Sequence, residues 1–195
     1  MIDVNRLILV RHGQTDSNLR QTVQGHVDNP LNETGIHQAE AVARFLQTHQ
    51  IHFDLIFASP LIRARHTAEI IVKSVGHDQP IIIDSGLIER DFGSYDGKKI
   101  DAHYFRMIHE QSIPDMETHA HLEQRVWSAI ETLTSRHPDK TLLLVTHSHV
   151  IKSILVRLLP DFNYTSFLYN CGISLLEYDA HHLKLIAHNL DPLAE

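Results

Sequence analysis

The sequence predicts an α/β fold in which a mostly parallel central sheet is flanked by helices, and three observations predict it. Short aliphatic runs bounded by polar residues recur along the chain, each with the length and composition of a strand buried on both faces. Between them lie segments whose apolar residues recur at spacings of three and four, the mark of an amphipathic helix. The two kinds alternate. Parallel strands need a crossover between them, and a helix is the usual crossover.

Residues 7–10 (LILV) are the first aliphatic run. Ile36, Ala39, Ala43 and Leu46 then mark one face of a helix. Residues 54–58 (DLIFA) form the second strand, and Pro60, following Ser59 as a cap, opens a helix continued by Ala64, Ala68, Ile71 and Val75. Residues 81–83 (III) read as a third buried strand. Leu122, Val126, Ile130 and Leu133 mark the next helix, and residues 141–146 (TLLLVT) the fourth strand. A helix over residues 150–159 follows and stops at Pro160, which cannot continue it. Residues 173–178 and 183–188 read as two further strands joined by a short polar loop. No repeat, low-complexity segment or linker interrupts this order, so the 195 residues read as one domain.

Composition narrows the function classes. A hydrophobic content of 43% suits a substantial core. No segment approaches the roughly 18 consecutive apolar residues of a membrane span, and the opening MIDVNR lacks the basic and apolar regions of a signal peptide. Cys171 is the only cysteine and has no internal partner, which favours the cytoplasm. A formal charge of −7 argues against nucleic acid or an anionic membrane as partner, since both want a basic surface. The expected partner is a small molecule, and oligomeric state is left open. The 17 histidines are scattered. Pairs such as His119 with His121 and His181 with His182 lack an H-E-x-x-H or Cys/His grouping, so they read as surface residues and no metal is expected.

Open parallel sheets bind ligands at the carboxyl ends of their strands. Arg11 and His12 follow LILV, Ser59 to Arg63 follow DLIFA, and His147 follows TLLLVT. Taken singly, an arginine there is a solvated charge and a histidine a backbone partner. Together, two arginines and two histidines at one sheet edge suit a tetrahedral dianion, because the guanidinium fork matches phosphate oxygens. Gly13 lets backbone amides approach such an anion closely.

Five stretches in order carry a resemblance: LVRHGQTDSN, QGHVDNPLNETG, SPLIRARHTAE, LIERDFGSYDG and VTHSHV, within residues 7–154. They are similar to the motifs of the histidine phosphatase superfamily, in its phosphoglycerate mutase-like branch. The resemblance implies a three-layer sandwich and phosphoryl transfer through a phosphohistidine, with no cofactor and no metal. In that scheme His12 is the nucleophile; Arg11, Arg63 and His147 hold the phosphoryl oxygens; and Glu89 is general acid, then base. Thr15, Asn18, Gln24, Gly25 and Ser148 would contact phosphate or line the substrate mouth. Asp91, Glu110 and Glu117 are further carboxylates in the same region, and it is the family pattern that selects Glu89.

Two stretches depart from the family. Ser148 and His149 follow His147 where relatives commonly carry glycine, which would alter a backbone contact to phosphate and bring a third imidazole near the site. Ile113, Pro114, Asp115, Met116, Glu117 and Thr118 stand where the family usually has P-G-G-E-S. The leading expectation is a phosphomonoester hydrolase acting on a small phosphorylated metabolite. The alternatives are a phosphoglycerate mutase and a non-catalytic phospholigand-binding protein. The short interval between Glu89 and His147 leaves little chain for the closing insertion of a mutase, although Lys98, Lys99 and Arg106 are cations there that a carboxylate could meet.

Overall fold

A computed structural model describes residues 5–178 and 182–194. Its strands are β1 (Arg6–Arg11), β2 (Leu55–Ala58), β3 (Ile82–Ile83), β4 (Leu142–Thr146), β5 (Ile173–Tyr178) and β6 (Leu183–Leu190). They form one sheet in the order β3-β2-β4-β1-β5-β6. β1 to β4 pair in parallel, whereas β5 and β6 are antiparallel to their neighbours.

Successive strand residues face opposite sides of a sheet, and here that alternation separates two cores. Leu7, Leu9, Phe57, Leu142, Leu144 and Leu176 face α5 (His119–Arg136) and α6 (Ser148–Leu158), packing on Leu122, Val126, Ile130, Ile151 and Ile154. Ile8, Val10, Ile56, Leu143 and Val145 face α2 (Glu33–Thr48) and α3 (Ile62–Val75), packing on Ala39, Val42, Leu46, Ala64 and Ile71. The result is the expected three-layer sandwich. Because both faces are covered, every residue of β4 is buried, and each such Leu contributes about 1.5–3 kcal/mol. No helix among the described residues is long and apolar enough to cross a membrane.

Several expectations need correction. Residues 81–83 are not a buried strand: β3 has two residues at the sheet edge, paired only with β2, and Ile82 and Ile83 are 38% and 48% exposed. Ser59 does not cap the next helix. α3 begins after Leu61 with no side-chain cap, and the Ser59 hydroxyl instead meets His147. α6 starts at Ser148, two residues before the expected point. His181 lies outside the described residues.

Two short helices were not legible in the aliphatic pattern. α1 (Asp16–Leu19) is set by a capping box in which the Thr15 hydroxyl accepts from the Asn18 N–H and the Asn18 side chain accepts from the Thr15 N–H. α4 (Ala102–Glu110) is capped by Asp101, whose carboxylate accepts from the Tyr104 N–H at 2.9 Å. Tyr104 and Ile108 anchor α4 in the core on the α5/α6 side. Within the interval between Glu89 and His147, α4 also supplies Tyr104 and Phe105 to the wall of the cleft described below.

Candidate active site

β1 and β4 are adjacent and parallel, with Arg11 opposite Thr146, so the residues that follow leave the same edge side by side. The His12 N–H donates to the Thr146 carbonyl at 2.9 Å. The rings of His12 and His147 then lie 5.2 Å apart, centroid to centroid.

The His12 tautomer follows from its partner. Nδ1 lies 2.7 Å from the Gly13 carbonyl oxygen, which can only accept, so Nδ1 carries the hydrogen and the Nε2 lone pair is left for reaction. Burial, with the Arg63 and Arg11 charges, pushes the His12 pKa well below the usual imidazole range. The ring is a neutral nucleophile at physiological pH. Gly13 holds this geometry by close approach: its N–H donates to Thr67 Oγ1 at 3.0 Å, and a β-carbon on it would run into the Gly35 backbone.

Arg63 is buried and Arg11 half-buried, and the two are differently committed. Arg11 donates from Nη1 to the Leu168 carbonyl at 2.6 Å, and its Nε is buried without a hydrogen-bond partner among the described residues. Arg63 donates to the carbonyls of Val27 (2.9 Å) and Gly25 (2.8 Å), leaving its buried Nε unpaired. His147 Nε2 lies 2.7 Å from Ser59 Oγ, and its Nδ1 is buried without a partner among the described residues. Burial first, and the Arg63 charge second, lower the His147 pKa as well.

Glu89 is 4% exposed. It accepts from the Arg90 N–H at 2.8 Å and the His149 N–H at 3.2 Å, yet burial outweighs these bonds and the arginine charges and raises its pKa. A raised carboxyl pKa suits a proton donor. Of the competing carboxylates, Asp91 accepts from the Gly93 N–H, Glu117 is paired with Arg125, and Glu110 ends α4 in solvent.

Arg11, His12, Asn18, Gln24, Glu89 and Ser148 line one cleft of about 250 Å³. Arg63 and His147 are fully buried and do not line it: His147 sits behind His12, ring against ring, and Arg63 is bonded to the Gly25 carbonyl; Thr15 and Gly25 support the cleft without lining it. Thr15 Oγ1 is bonded to Gln24 Nε2 at 2.8 Å, and a β-carbon at Gly25 would crowd the Arg90 carbonyl at 2.9 Å. The Gly25 N–H is bonded to the Asp96 carboxylate. A cavity of about 690 Å³ beside α5, lined by Trp127, Glu131 and Tyr178, contains none of these groups.

The third imidazole does reach the cleft. His149 lines it, edge-on to Phe92 at 4.9 Å and stacked on Tyr164 at 5.5 Å, while its backbone N–H serves Glu89 rather than standing free. His119 is not a simple surface residue either, since it stacks on Tyr164 at 4.0 Å. Lys98, Lys99 and Arg106 do not line the cleft: Lys98 lies over the Tyr95 ring, Lys99 donates to the Arg20 carbonyl, and Arg106 meets His103. Sequence reasoning missed Lys152 and the apolar wall of Phe92, Tyr104, Phe105 and Phe167. A lysine one helical turn beyond Ser148, inside the apolar run VIKSIL, was the available signal.

Over 186 residues the chain is 32% identical to the uncharacterized phosphatase PhoE of Bacillus subtilis strain 168, covering 94% of this chain and 93% of that one. It is 34% identical over 163 residues to a 2,3-bisphosphoglycerate-dependent phosphoglycerate mutase of Rhizobium etli, covering 77% of each. Among solved structures it is similar to a phosphoserine phosphatase of Entamoeba histolytica in complex with 3-phosphoglyceric acid, at a TM-score of 0.79 and 29% identity, over 95% of this chain and 97% of that one. The family model of the histidine phosphatase superfamily, branch 1, matches residues 7–191, and the protein belongs to that family.

Proposed function

We propose that the protein is a phosphomonoester hydrolase, one histidine phosphatase domain that turns over a small phosphorylated metabolite through a phosphohistidine on His12. The observation that carries this reading is the His12 ring itself. Its Nδ1 is bonded to the Gly13 carbonyl, its Nε2 lone pair is free, the Arg63 and Arg11 charges act on it, and the Glu89 carboxyl, its pKa raised by burial, lines the same cleft.

In the first step Nε2 attacks phosphorus in line, the P–N bond forms and the ester P–O bond breaks, and Glu89 gives its proton to the leaving alkoxide. The Nδ1–H bond to Gly13 steadies the positive ring that results. Arg11, Arg63 and His147 hold the phosphoryl oxygens, each well-placed donor worth about 3 kcal/mol in the transition state. In the second step water attacks phosphorus, Glu89 takes its proton, the P–N bond breaks and orthophosphate leaves. Asn18, Gln24 and Ser148 line the mouth, and Thr15 and Gly25 hold that lining in place.

Hydrolysis is favoured over mutase chemistry by the wall of the cleft. A bisphosphoglycerate-dependent mutase must bind two phosphoryl groups and a carboxylate. Beyond the clamp, Lys152 is the only lysine or arginine among the described lining residues, and much of the remaining wall is apolar. A net charge of −7 supports a small-molecule partner over nucleic acid, and the lone cysteine supports the cytoplasm as compartment.

The test is to mix the purified chain with substrate in the presence of a chelator, quench without acid and locate the label. One acid-labile phosphoryl group on His12, absent in His12→Ala, is expected. Given 3-phosphoglycerate and catalytic 2,3-bisphosphoglycerate, the protein should release orthophosphate faster than 2-phosphoglycerate. Label on serine or aspartate would overturn the mechanism, and faster isomer formation would overturn the hydrolase assignment.

A further inference from the structure

The phosphohistidine scheme leaves Lys152 without a task. It lies in α6, is 7% exposed and lines the same cleft as His12 and Glu89. Its ammonium makes one hydrogen bond, from Nζ to the Tyr164 carbonyl at 2.8 Å, and no carboxylate of the described residues is paired with it. An ammonium has three donors. A lysine kept there only to hold the 164 loop would be an expensive way to supply one donor, because burying an ammonium costs far more than burying an amide.

The charge balance of the cleft points the same way. A phosphomonoester carries about two negative charges at neutral pH. With Glu89 holding its proton as the acid, Arg11 and Arg63 already match that dianion. Lys152, whenever protonated, adds a positive charge that an uncharged alcohol would leave unmatched. Arg90, the other buried cation nearby, does not line the cleft: it donates to the Glu117 carbonyl at 2.7 Å, lies over the Tyr164 ring and meets His149 Nδ1 at 3.5 Å from behind.

Resting on the hydrolase reading above, we infer that Lys152 is a specificity-determining residue that recognises a carboxylate on the alcohol portion of the substrate, so that the preferred substrates are phosphorylated hydroxy acids. Phe92 and Tyr104, both buried, give the same cleft an apolar wall, and an ion pair is stronger beside such a wall than in open water. Burial, and behind it the Arg11 charge, lowers the Lys152 pKa to about 7. The lysine is therefore only partly protonated at neutral pH before substrate arrives, and a carboxylate would favour its charged form. A neutral alcohol brings no such gain.

The experiment compares kcat/KM of the full-length protein on 3-phosphoglycerate and glycerol 3-phosphate, with phenyl phosphate as a third substrate. Wild type should prefer the acid over the neutral alcohol by about 10- to 100-fold, the range of a hydrogen bond between charged groups. Lys152→Met should collapse that ratio to within about 3-fold, and Lys152→Arg should restore part of it. Equal kcat/KM for the two substrates in wild type would overturn the inference, with no variant needed. So would Lys152→Met lowering both substrates equally, as a purely structural lysine would. Failure of all three substrates in wild type would instead count against the hydrolase reading itself.

Discussion

Replacing Glu89 by Gln separates proton transfer from architecture. The glutamine side-chain oxygen can still accept from the Arg90 and His149 N–H groups that now hold the carboxyl at 2.8 and 3.2 Å, so the loop after residue 87 keeps its anchor. What disappears is the proton. Removing a general acid costs about 10²–10⁴-fold, or about 3–5 kcal/mol of barrier, when the leaving group is an alkoxide. Nitrophenolate leaves without help. A single-turnover assay should therefore show the burst of nitrophenol nearly intact in Glu89→Gln while alkyl phosphate cleavage falls by that factor. Steady-state turnover should fall on both, because in the proposed mechanism hydrolysis of the phosphohistidine also uses Glu89. Stability gives a second readout. Burial raises the Glu89 pKa above its unfolded value, so the stability associated with the neutral carboxyl is fully present below the unfolded pKa and is lost as pH rises through the folded one. Gln does not titrate. At pH 8 the variant should melt at or above wild type, and the gap should close as pH falls to about 4, the ordinary carboxyl pKa. Equal loss of burst rate on both substrates would move the acid role to another group, and a variant less stable at pH 8 would refute the burial argument.

The remaining expectations are narrower. Since burial and then Arg63 and Arg11 hold the His12 pKa well below the usual imidazole value, the acid limb of kcat/KM should lie below about pH 6.5, and an acid limb above that value would refute a neutral buried nucleophile. His147 and His149 are depressed in the same direction, chiefly by burial, so their contribution to stability is present above the unfolded histidine pKa and is lost as pH falls from there toward the folded values; thermal melts from pH 7.5 down to 5 should show a declining Tm. Gly13→Ala should cost about 1–3 kcal/mol, because the added methyl meets the Gly35 backbone, and denaturant melts with an unchanged midpoint would refute that close approach.

Local chemistry carried much of this protein into its sequence. The aliphatic runs of β1, β2 and β4 are legible because a strand covered on both faces needs apolar residues at every position, and Leu144 and Val145 serve opposite cores. Three of the family motifs follow the ends of β1, β2 and β4, where the next residues leave the sheet at its carboxyl edge, whereas those at residues 24–35 and 87–97 lie largely in loops that only the closed fold brings to that edge. β3 failed as a buried strand for the complementary reason: three isoleucines look alike at a sheet centre and at its edge, and only the strand order places them at the edge. Ser59 reads as a helix cap by local rules, and only the β2 to β4 pairing brings His147 within 2.7 Å to claim its hydroxyl. The burial that raises the Glu89 pKa, the neutral state of His12 and the turn of Lys152 into the cleft likewise depend on neighbours distant in sequence. Those are properties of packing, and packing is decided only when the chain has closed on itself.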